Sequence, residues 1–377
     1  MNKLLDDHRE REIFQEALLS WFKAHKRTLP WRKNNDWYPV FLSEFLLQQT
    51  QVSQALPYFE KFMRLYPTVS HLASAAEDEL LKHWAGLGYY TRARNLRKAA
   101  QGIVTRFNGQ FPQNLKDALQ LPGIGPYTAA AVLSIAFNKP HAVVDGNVIR
   151  VITRLFNITD DIRTTKVRNN VRELARHILA PQSAGSFNEA MMELGALICQ
   201  PQTPQCAQCP LQHWCVARQK NNVTRIPFKS PARPRKNRFQ FVFLFVHDDR
   251  LLLLKRPGRG LLAGMWEFPV QETDAEQFTK EISNILDERL SAFGIKTAHP
   301  MPLLRHIYSH ITLQYRPLLI PVNRFLQYDD AFYVDQKWLP FGELNSSGLH
   351  QAHKKILNLA QFKDWWQRRK EWSEKKR

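Results

Sequence analysis

Asp145 stands at the start of a segment that has the spacing of an amphipathic helix. It belongs to VDGNV, which opens the run VIRVITRLF, whose apolar residues recur every three or four positions. We therefore predict Asp145 at or near a helix N-cap, a position at which aspartate is also common for structural reasons alone. A helix N-terminus favours negative charge, so we expect a lowered pKa and an ionised carboxylate. An ionised carboxylate can stabilise a cation on a sugar ring.

A second carboxylate, Glu44, lies in the segment LSEFLLQQTQV. The pattern predicts one helix from Phe41 to Gln54, on which Glu44 shares a face with Leu47, Gln48 and Gln51. A glutamate on a helix surface is most often simply solvated. Here its neighbours are apolar residues and neutral amides, so desolvation can raise the pKa of Glu44. A carboxylic acid with a raised pKa can act as a general acid.

The four cysteines of the chain, Cys199, Cys206, Cys209 and Cys215, have the spacing C-x6-C-x2-C-x5-C. Four thiolates so close in sequence can enclose one metal centre. Zinc is the common alternative, but four-thiolate zinc sites usually have two CxxC knuckles, and this segment has one. The spacing resembles the [4Fe-4S] loop of the endonuclease III superfamily of DNA glycosylases. That resemblance implies a structural iron-sulfur cluster in residues 199–215, which orders a basic loop against phosphate.

A glycine-containing turn lies in the segment LPGIGPYTAAA, between two helical stretches. Gly123 and Gly125 allow the positive φ angles of a tight turn, and this predicts a helix-hairpin-helix over about residues 114–137. Its backbone N–H groups and the N-terminus of the second helix would bind phosphate without reading base sequence. An ordinary glycine-rich turn between helices is the alternative.

These candidate residues must be positioned mainly by helices. From Glu10 to about Gln200 the apolar residues recur at helical spacing between proline and glycine breaks. This predicts an all-α domain over residues 1–220. Residues 221–237 are basic and proline-containing, which predicts an extended interdomain linker.

The rest of the chain has strand patterns. FQFVFLFV and RLLLLKR flank the turn at His247-Asp-Asp, which predicts a hairpin. ITLQYRPLLIPV and AFYV predict further strands, with a helix near Glu276 to Phe293. We expect a smaller α/β domain over residues 238–362, then a basic, tryptophan-containing tail over 363–377 that forms a frayed helix.

Composition favours a polyanionic partner. The 377 residues include 53 Lys and Arg against 34 Asp and Glu, a formal net charge of +19, for which nucleic acid is the simplest partner. Ribosomal, RNA-binding and membrane-surface proteins share such a surplus. The charged start of the chain lacks the apolar core of a signal peptide, so we expect a cytosolic protein without disulfides. No apolar run approaches the roughly 18 residues of a membrane span.

Motif for motif, these segments resemble the adenine DNA glycosylases of the MutY family, from about Ala17 to Gln361. The motifs, in chain order, are PWR, LSEFLLQQTQV, GLGYYTRARNL, LPGIGPYTAAAVLS, VDGNVIRV, FNEAMMELGALIC and the four cysteines. The resemblance implies an all-α glycosylase domain and a Nudix-like α/β domain. It also implies a monomer in the cytoplasm, associated with the nucleoid through DNA. Such an enzyme flips adenine out of double-stranded DNA, where it is mispaired with 8-oxoguanine or guanine, and excises it.

The resemblance implies roles for individual residues. Glu44 would protonate the departing adenine, and Asp145 would stabilise or covalently trap the oxocarbenium ion, as in retaining glycosidases. Tyr127 and Asn147 would orient the acid and the sugar. Residues implied in substrate binding are Trp31, Arg32, Leu47 and Glu189 in the base pocket, Gln48 beside it, and Gln49 and Tyr89 in the base stack. Core packing of Trp31 and Tyr89, and a solvated surface position for Glu189, are the alternatives.

Position 127 also bears on the type of reaction. Related glycosylases with lyase activity carry a lysine in this stretch that forms a Schiff base. Here the residue is Tyr127, and no lysine lies between Leu121 and Asn138. We therefore expect monofunctional hydrolysis.

The segment GLLAGMWEFP, Gly260 to Pro269, resembles a Nudix fold. QETDAEQFTKEISNIL, which follows Val270, lacks the REUxEE pattern that holds Mg²⁺ in Nudix hydrolases, so we expect no nucleotide hydrolysis. In the MutY family this domain recognises 8-oxoguanine through a Phe-Ser-His loop. Here the loop is Tyr308-Ser309-His310. The added hydroxyl changes the intercalating aromatic, while Ser309 and His310 can still hydrogen-bond the oxidised base.

Two other functions remain as alternatives. A pyrimidine or mismatched-thymine glycosylase on the same helical scaffold would lack the Nudix-like domain and the Ser309-His310 loop. A non-catalytic iron-sulfur DNA-binding protein would not need both Glu44 and Asp145.

Overall fold

The structure is a computed structural model that describes residues 7–34, 36–231, 234–279 and 297–374. The chain divides into two compact units. The first is Met1–Leu80 with Thr91–Pro231, and the second is Leu81–Tyr90 with Ala232–Arg377. Within the described ranges, no helix combines the length and the apolar composition needed to cross a bilayer.

The helical prediction for the first part of the chain is confirmed. Its helices are α1 His8–His25, α2 Trp37–Leu47, α3 Val52–Leu65, α4 Val69–Ser74, α5 Glu77–Trp84, α6 Thr91–Phe107, α7 Leu115–Ala118, α8 Pro126–Phe137, α9 Gly146–Leu155, α10 Thr165–Ile178, α11 Ala184–Leu197 and α12 Val216–Gln219. A core of fully buried side chains such as Phe14, Ile152 and Ile178 joins α1, α9, α10 and α11. This core fixes the start of α9 relative to α11.

Helix α2 is largely buried, since every residue from Val40 to Leu46 is buried. The prediction of one helix from Phe41 to Gln54 was wrong, because α2 ends at its eleventh residue and a turn precedes α3. Gln49 has φ +58°, in the left-handed region. Arg92 donates from Nη1 to the carbonyl oxygens of Phe45 and Leu46, near the end of α2, and to that of Gln48. These bonds replace the next helical turn.

The helix-hairpin-helix is formed by α7, a turn and α8. Gly123 has φ +77°, and a Cβ atom there would lie 2.6 Å from Asn95 Cβ, so the position requires glycine. Gly125 is the N-cap residue of α8, and Pro126 occupies the first helical position, where its missing N–H is harmless.

The predicted linker, residues 221–237, differs from the structure in its first part. Residues 223–225 form a 3-10 helix, and Ile226 is buried. Arg154, itself buried, donates from Nε to the carbonyl oxygens of Val223 at 3.1 Å and Ile226 at 2.9 Å. The proline-rich composition gave no sign of this packing, because the bonds use the backbone of the segment.

The second unit is built on a mixed sheet. Its strands are β1 Lys236–His247, β2 Arg250–Lys255, β3 Trp266–Glu267, β4 Val270–Thr273, β5 His299–Pro300, β6 Leu304–Ile307, β7 Ile311–Pro321 and β8 Asp335–Pro340, with helices α13 Ala275–Thr279, α14 Gln351–Leu357 and α15 Ala360–Glu374. Strand β1 pairs in parallel with β7 and antiparallel with β2 and β4. The α/β prediction is therefore confirmed.

Individual predictions in this unit had mixed outcomes. The hairpin of β1 and β2 is confirmed, with His247 opposite Arg250. The strand predicted at AFYV was wrong, because Asp330 accepts the N–H of Phe332 and holds a turn there, and the strand begins at Asp335. Of the helix predicted near Glu276, α13 is seen, and residues 280–296 lie outside the described part.

The C-terminal tail, predicted as a frayed helix, forms a helix whose described side chains pack against the second unit. Helix α15 runs to Glu374, and residues 375–377 lie outside the described part. Phe362 is fully buried, and the ring of Trp366 stacks on Phe341 at 4.7 Å between centroids.

Candidate active site

A cavity of about 850 Å³ opens in the helical unit. Its volume is within the range of ligand pockets in proteins. The wall includes the following predicted residues: Trp31, Arg32, Glu44, Leu47, Gln49, Tyr127, Asp145, Asn147 and Glu189. Helices α2, α8, α9 and α11 thus bring residues far apart in sequence to one cavity.

Glu44 reaches this cavity from the buried helix α2. Its side chain is buried, and within the described chain no donor reaches its Oε2 atom. Burial raises the pKa of Glu44 to about 7, the hydroxyl of Tyr127 lowers it, and the negative charges of Asp145 and Glu189 add to the rise. Near neutral pH this carboxyl group can therefore hold and release a proton.

Asp145 is the N-cap residue of α9, as predicted. Its Oδ1 atom accepts the N–H of Val148 at 2.7 Å, and its Oδ2 atom accepts the amide of Asn147 at 2.9 Å. The predicted lowering of its pKa was wrong, because burial raises the pKa of Asp145 and outweighs these hydrogen bonds. Since both of its oxygens are hydrogen-bonded and one oxygen of Glu44 is not, Asp145 is the group that ionises first.

A chain of hydrogen bonds joins Asp145 to the cysteine segment. Asn147, which donates to Asp145, accepts from Nη2 of Arg150 at 2.8 Å. The same nitrogen donates to the carbonyl oxygen of Gly195 at 2.7 Å, and Nε donates to that of Cys199 at 2.7 Å. A Cβ atom at Gly195 would lie 2.6 Å from Asn147 Cβ, so glycine permits this close approach of α11 to α9.

Two charged residues on the cavity wall, Arg27 and Glu193, were missed by sequence analysis. Glu193 Oε1 accepts from Arg27 Nε at 2.7 Å and Oε2 from its Nη2 at 2.9 Å. Arg32 donates from Nη2 to Glu193 Oε2 at 3.1 Å and from Nε to Glu189 Oε1 at 2.7 Å. The signal available in the sequence was the i, i+4 spacing of Glu189 and Glu193, which puts both on one helix face.

The two glutamates of this array have opposite pKa shifts. Burial raises the pKa of Glu189, against the favourable charge of Arg32. Although burial opposes it, hydrogen bonds from Arg27 and Arg32 lower the pKa of Glu193 to about 2. Glu193 is therefore a permanent anion within the array.

Tyr127 is the second residue of α8, and its hydroxyl lies 3.8 Å from the sulfur of Met192, a weak acceptor. Burial raises the pKa of Tyr127, so the phenol remains protonated. Among the described residues of the wall there is no lysine.

The remaining base-pocket predictions fall into two groups. Trp31 and Gln49 line the cavity. The ring of Trp31 is buried against Phe59, and the backbone of Gln49 is in the left-handed region. Gln48 is not on the wall, because its amide donates to Thr128 Oγ1 at 3.4 Å. Tyr89 is also outside the wall, with φ +47° and 51% exposure, so it is not a core aromatic. Left-handed backbone at a bulky residue is strained and is common at functional sites.

The hairpin turn offers unpaired donors. Within the described residues, the N–H groups of Gly123 and Gly125 donate to no other atom of the chain. They are available to an anion at the N-terminus of α8.

The four cysteines are partly buried and unpaired. Burial, together with the neighbouring thiols, raises the pKa of Cys209 to about 12, which makes bound cations necessary for ionised thiolates there. In the described chain, no three of the sulfur atoms lie within 4.8 Å of one another. Tetrahedral coordination by one zinc ion needs a sulfur separation of about 3.8 Å. The sulfur atoms are therefore spread more widely than the ligands of a single zinc ion.

The Tyr308-Ser309-His310 loop joins β6 to β7 in the second unit. Ser309 and His310 are exposed, with 3.2 Å between Ser309 Oγ and His310 Nδ1. Tyr308 packs on the core, and its buried hydroxyl has no partner among the described residues. The aromatic ring expected to enter the base stack thus faces inward here.

Comparisons with known proteins give one family match in the helical part of the chain and another in the α/β part. Residues 42–177 match the family model of the HhH-GPD superfamily of base excision DNA repair proteins, and residues 241–359 match the NUDIX domain. An adenine DNA glycosylase of Rattus norvegicus is 31% identical, over 94% of this chain and 79% of its own length. One from Homo sapiens is 33% identical, over 95% and 76%. Among solved structures, a thermostable thymine-DNA glycosylase is 30% identical with a TM-score of 0.50, over 56% of this chain and 98% of its own.

Proposed function

Since the chain belongs to the MutY family of adenine DNA glycosylases, we propose that it hydrolyses the N-glycosidic bond of adenines that lie opposite 8-oxoguanine or guanine in double-stranded DNA. The observation that carries this proposal is a protonatable glutamate and a hydrogen-bonded aspartate on the wall of one cavity. The thymine-DNA glycosylase covers 56% of this chain, whereas the adenine DNA glycosylase of Rattus norvegicus covers 94% of it.

The reaction begins when adenine leaves the base stack, since the glycosidic bond is inaccessible inside the duplex. Glu44 donates its proton to a ring nitrogen of the adenine as the bond breaks. Asp145 stabilises the positive charge that develops on the sugar. Tyr127 and Asn147 orient the acid and the aspartate. Water then adds to the sugar carbon and gives up a proton to the carboxylate of Glu44, which leaves an abasic site without a Schiff base.

The other cavity residues recognise the base. Trp31 and Leu47 contact its faces, Glu189 meets its polar edge, and Arg32 holds Glu189 in place. Gln48 acts indirectly, by packing the turn after α2 against α8. The stack itself is filled or wedged by Gln49 and Tyr89, and the backbone at Gly123 and Gly125 binds a phosphate.

Cys199, Cys206, Cys209 and Cys215 would hold a [4Fe-4S] cluster. When bound, that cluster would supply structural order rather than chemistry on the base. The protein contributes carbonyl groups of the same segment, to which Arg150 and Arg154 donate. Order in this segment thereby supports Asn147 and Asp145.

Recognition of 8-oxoguanine falls to the exposed side chains of Ser309 and His310, which can hydrogen-bond the oxidised base. We further infer a monomeric enzyme that works on DNA in the cytoplasm.

The test is alkali-revealed strand cleavage of duplexes that carry adenine opposite 8-oxoguanine, guanine or cytosine, with a thymine–guanine duplex as comparison. We expect adenine loss opposite 8-oxoguanine and guanine, and an intact strand in the other two. Thymine release, or cleavage of none of the duplexes, would overturn the proposed function.

A further inference from the structure

The array of Arg27, Arg32, Glu189 and Glu193 contains two guanidinium groups and two carboxylates, so its charges balance. Glu193 lies at its centre, with 1% of its side chain exposed. It binds Arg27 through both oxygens in a fork and also accepts the backbone N–H of Arg27 at 2.9 Å. Bidentate pairs of this kind fix orientation as well as charge.

Arg32 is fixed from three sides. Its Nε donates to Glu189, its Nη2 to Glu193, and its Nη1 to the carbonyl oxygen of Arg27 at 3.1 Å. Three of its five N–H donors are thereby occupied within the array. In the described part of the chain, Glu189 makes this hydrogen bond through Oε1 alone, and nothing donates to its Oε2 atom. The array therefore offers the cavity an acceptor, while its carboxylates engage most of the guanidinium groups' inward donors.

We propose that Glu193 is a positioning residue that sets base specificity, because it holds the donors of Arg27 and Arg32 away from the substrate and leaves Glu189 as the acceptor. The inference rests on the proposed function. An acceptor matches a base edge with an exocyclic amine, as in adenine, which presents an N–H₂ donor. Hypoxanthine has the same ring system with a carbonyl oxygen at that position, so the array should reject it.

Without the charge of Glu193, the fork on Arg27 is lost and Arg32 keeps one carboxylate partner. Freed guanidinium donors can then face a carbonyl oxygen in the cavity. A hydrogen bond to a charged group changes discrimination by about 10- to 100-fold. We therefore expect Glu193→Gln to slow adenine excision more than hypoxanthine excision. The ratio of the adenine rate to the hypoxanthine rate should fall by about 10- to 100-fold.

The experiment compares single-turnover excision from two duplexes that differ only in adenine or hypoxanthine opposite 8-oxoguanine. The matched control is Glu173→Gln, which removes one negative charge from an exposed surface pair with Arg176 and so changes overall DNA attraction equally. Arg27→Lys keeps the charge but loses the fork, and it should lower the ratio as Glu193→Gln does. The Arg27 side chain is 37% exposed, so its substitution disturbs the core less than that of Glu193. If Glu193→Gln does not fold, the rate ratio of Arg27→Lys tests the inference.

A general structural defect would slow the excision of both bases equally and leave the ratio of adenine to hypoxanthine excision unchanged. A substitution with no effect on the site would also leave that ratio unchanged. Either result would overturn the inference. A lowered ratio in Glu193→Gln or Arg27→Lys, with an unchanged ratio in Glu173→Gln, supports it. If the unmodified protein releases no adenine at all, the proposed function itself fails, which is a separate outcome.

Discussion

The close approach of α11 to α9 at Gly195 makes a quantitative prediction for Gly195→Ala. An added Cβ atom would lie 2.6 Å from Asn147 Cβ, 3.1 Å from its Cα and 3.2 Å from its carbonyl carbon. Carbon atoms in contact are normally about 3.5–4.0 Å apart. These neighbours belong to the start of the Asn147 side chain and to its backbone, so they cannot turn aside by a change of rotamer. Asn147 must therefore move by about 1 Å.

We expect that movement of Asn147 to lower the rate of adenine excision more than it lowers the stability of the fold. Asn147 holds Asp145 through a 2.9 Å hydrogen bond, and a misplacement of about 1 Å at a reacting group can cost about 100-fold in rate. Overpacking of this kind typically costs about 1–3 kcal/mol of stability, which a folded domain can tolerate. We expect Gly195→Ala to reduce the single-turnover rate of adenine excision about 100-fold, with DNA affinity nearly unchanged.

The control is Gly185→Ala in the same helix, whose Cβ atom would lie 2.6 Å from the carbonyl oxygen of Ser134. It creates a similar clash away from Asn147, so it should lower the melting temperature without the loss in rate. The two variants are compared by thermal unfolding, DNA affinity and single-turnover kinetics. Equal rates for both would refute the view that Gly195 positions Asn147.

Three further predictions concern the rest of the chain. Cys209→Ser should lower the iron content and the melting temperature of the purified protein together, whereas zinc in place of iron in the unmodified protein would contradict the cluster assignment. Ser309→Ala should reduce the preference for adenine opposite 8-oxoguanine over adenine opposite guanine by about 10-fold, the value of one hydrogen bond, and equal losses on both duplexes would show that it has no part in selecting the oxidised base. Borohydride should trap no covalent complex with an adenine mispair, because the described cavity wall has no lysine, and trapping as efficient as in a lyase control would contradict monofunctional hydrolysis.

Features governed by neighbouring residues could be predicted from the sequence. The N-cap at Asp145 and the turn at Gly123 depend on hydrogen bonds and φ angles within a few positions. The raised pKa of Glu44 followed from its apolar neighbours in α2. The hairpin of β1 and β2 followed from two apolar runs that flank a short turn.

Features that depend on residues far apart in the chain could not be predicted from the sequence. The break after α2 depends on Arg92, which is 44 positions from the carbonyl group of Gln48. The pairing of Arg27 with Glu193 spans 166 positions. The pKa of Asp145 was mispredicted because its local helix terminus was visible in the sequence and its burial was not. Each of these properties arises only when separate helices pack together.

The most direct test of the acid assignment is the pH dependence of single-turnover adenine excision by the unmodified protein and by Glu44→Gln. The acid form of Glu44 is the active one and its pKa is raised to about 7, so the rate should be highest below that pH and fall about tenfold per unit above it. In Glu44→Gln the rate should drop by about 100- to 10,000-fold and this alkaline decline should disappear. An unchanged rate in the variant, or an alkaline decline that persists without the carboxyl group, would contradict the role of Glu44 as the proton donor.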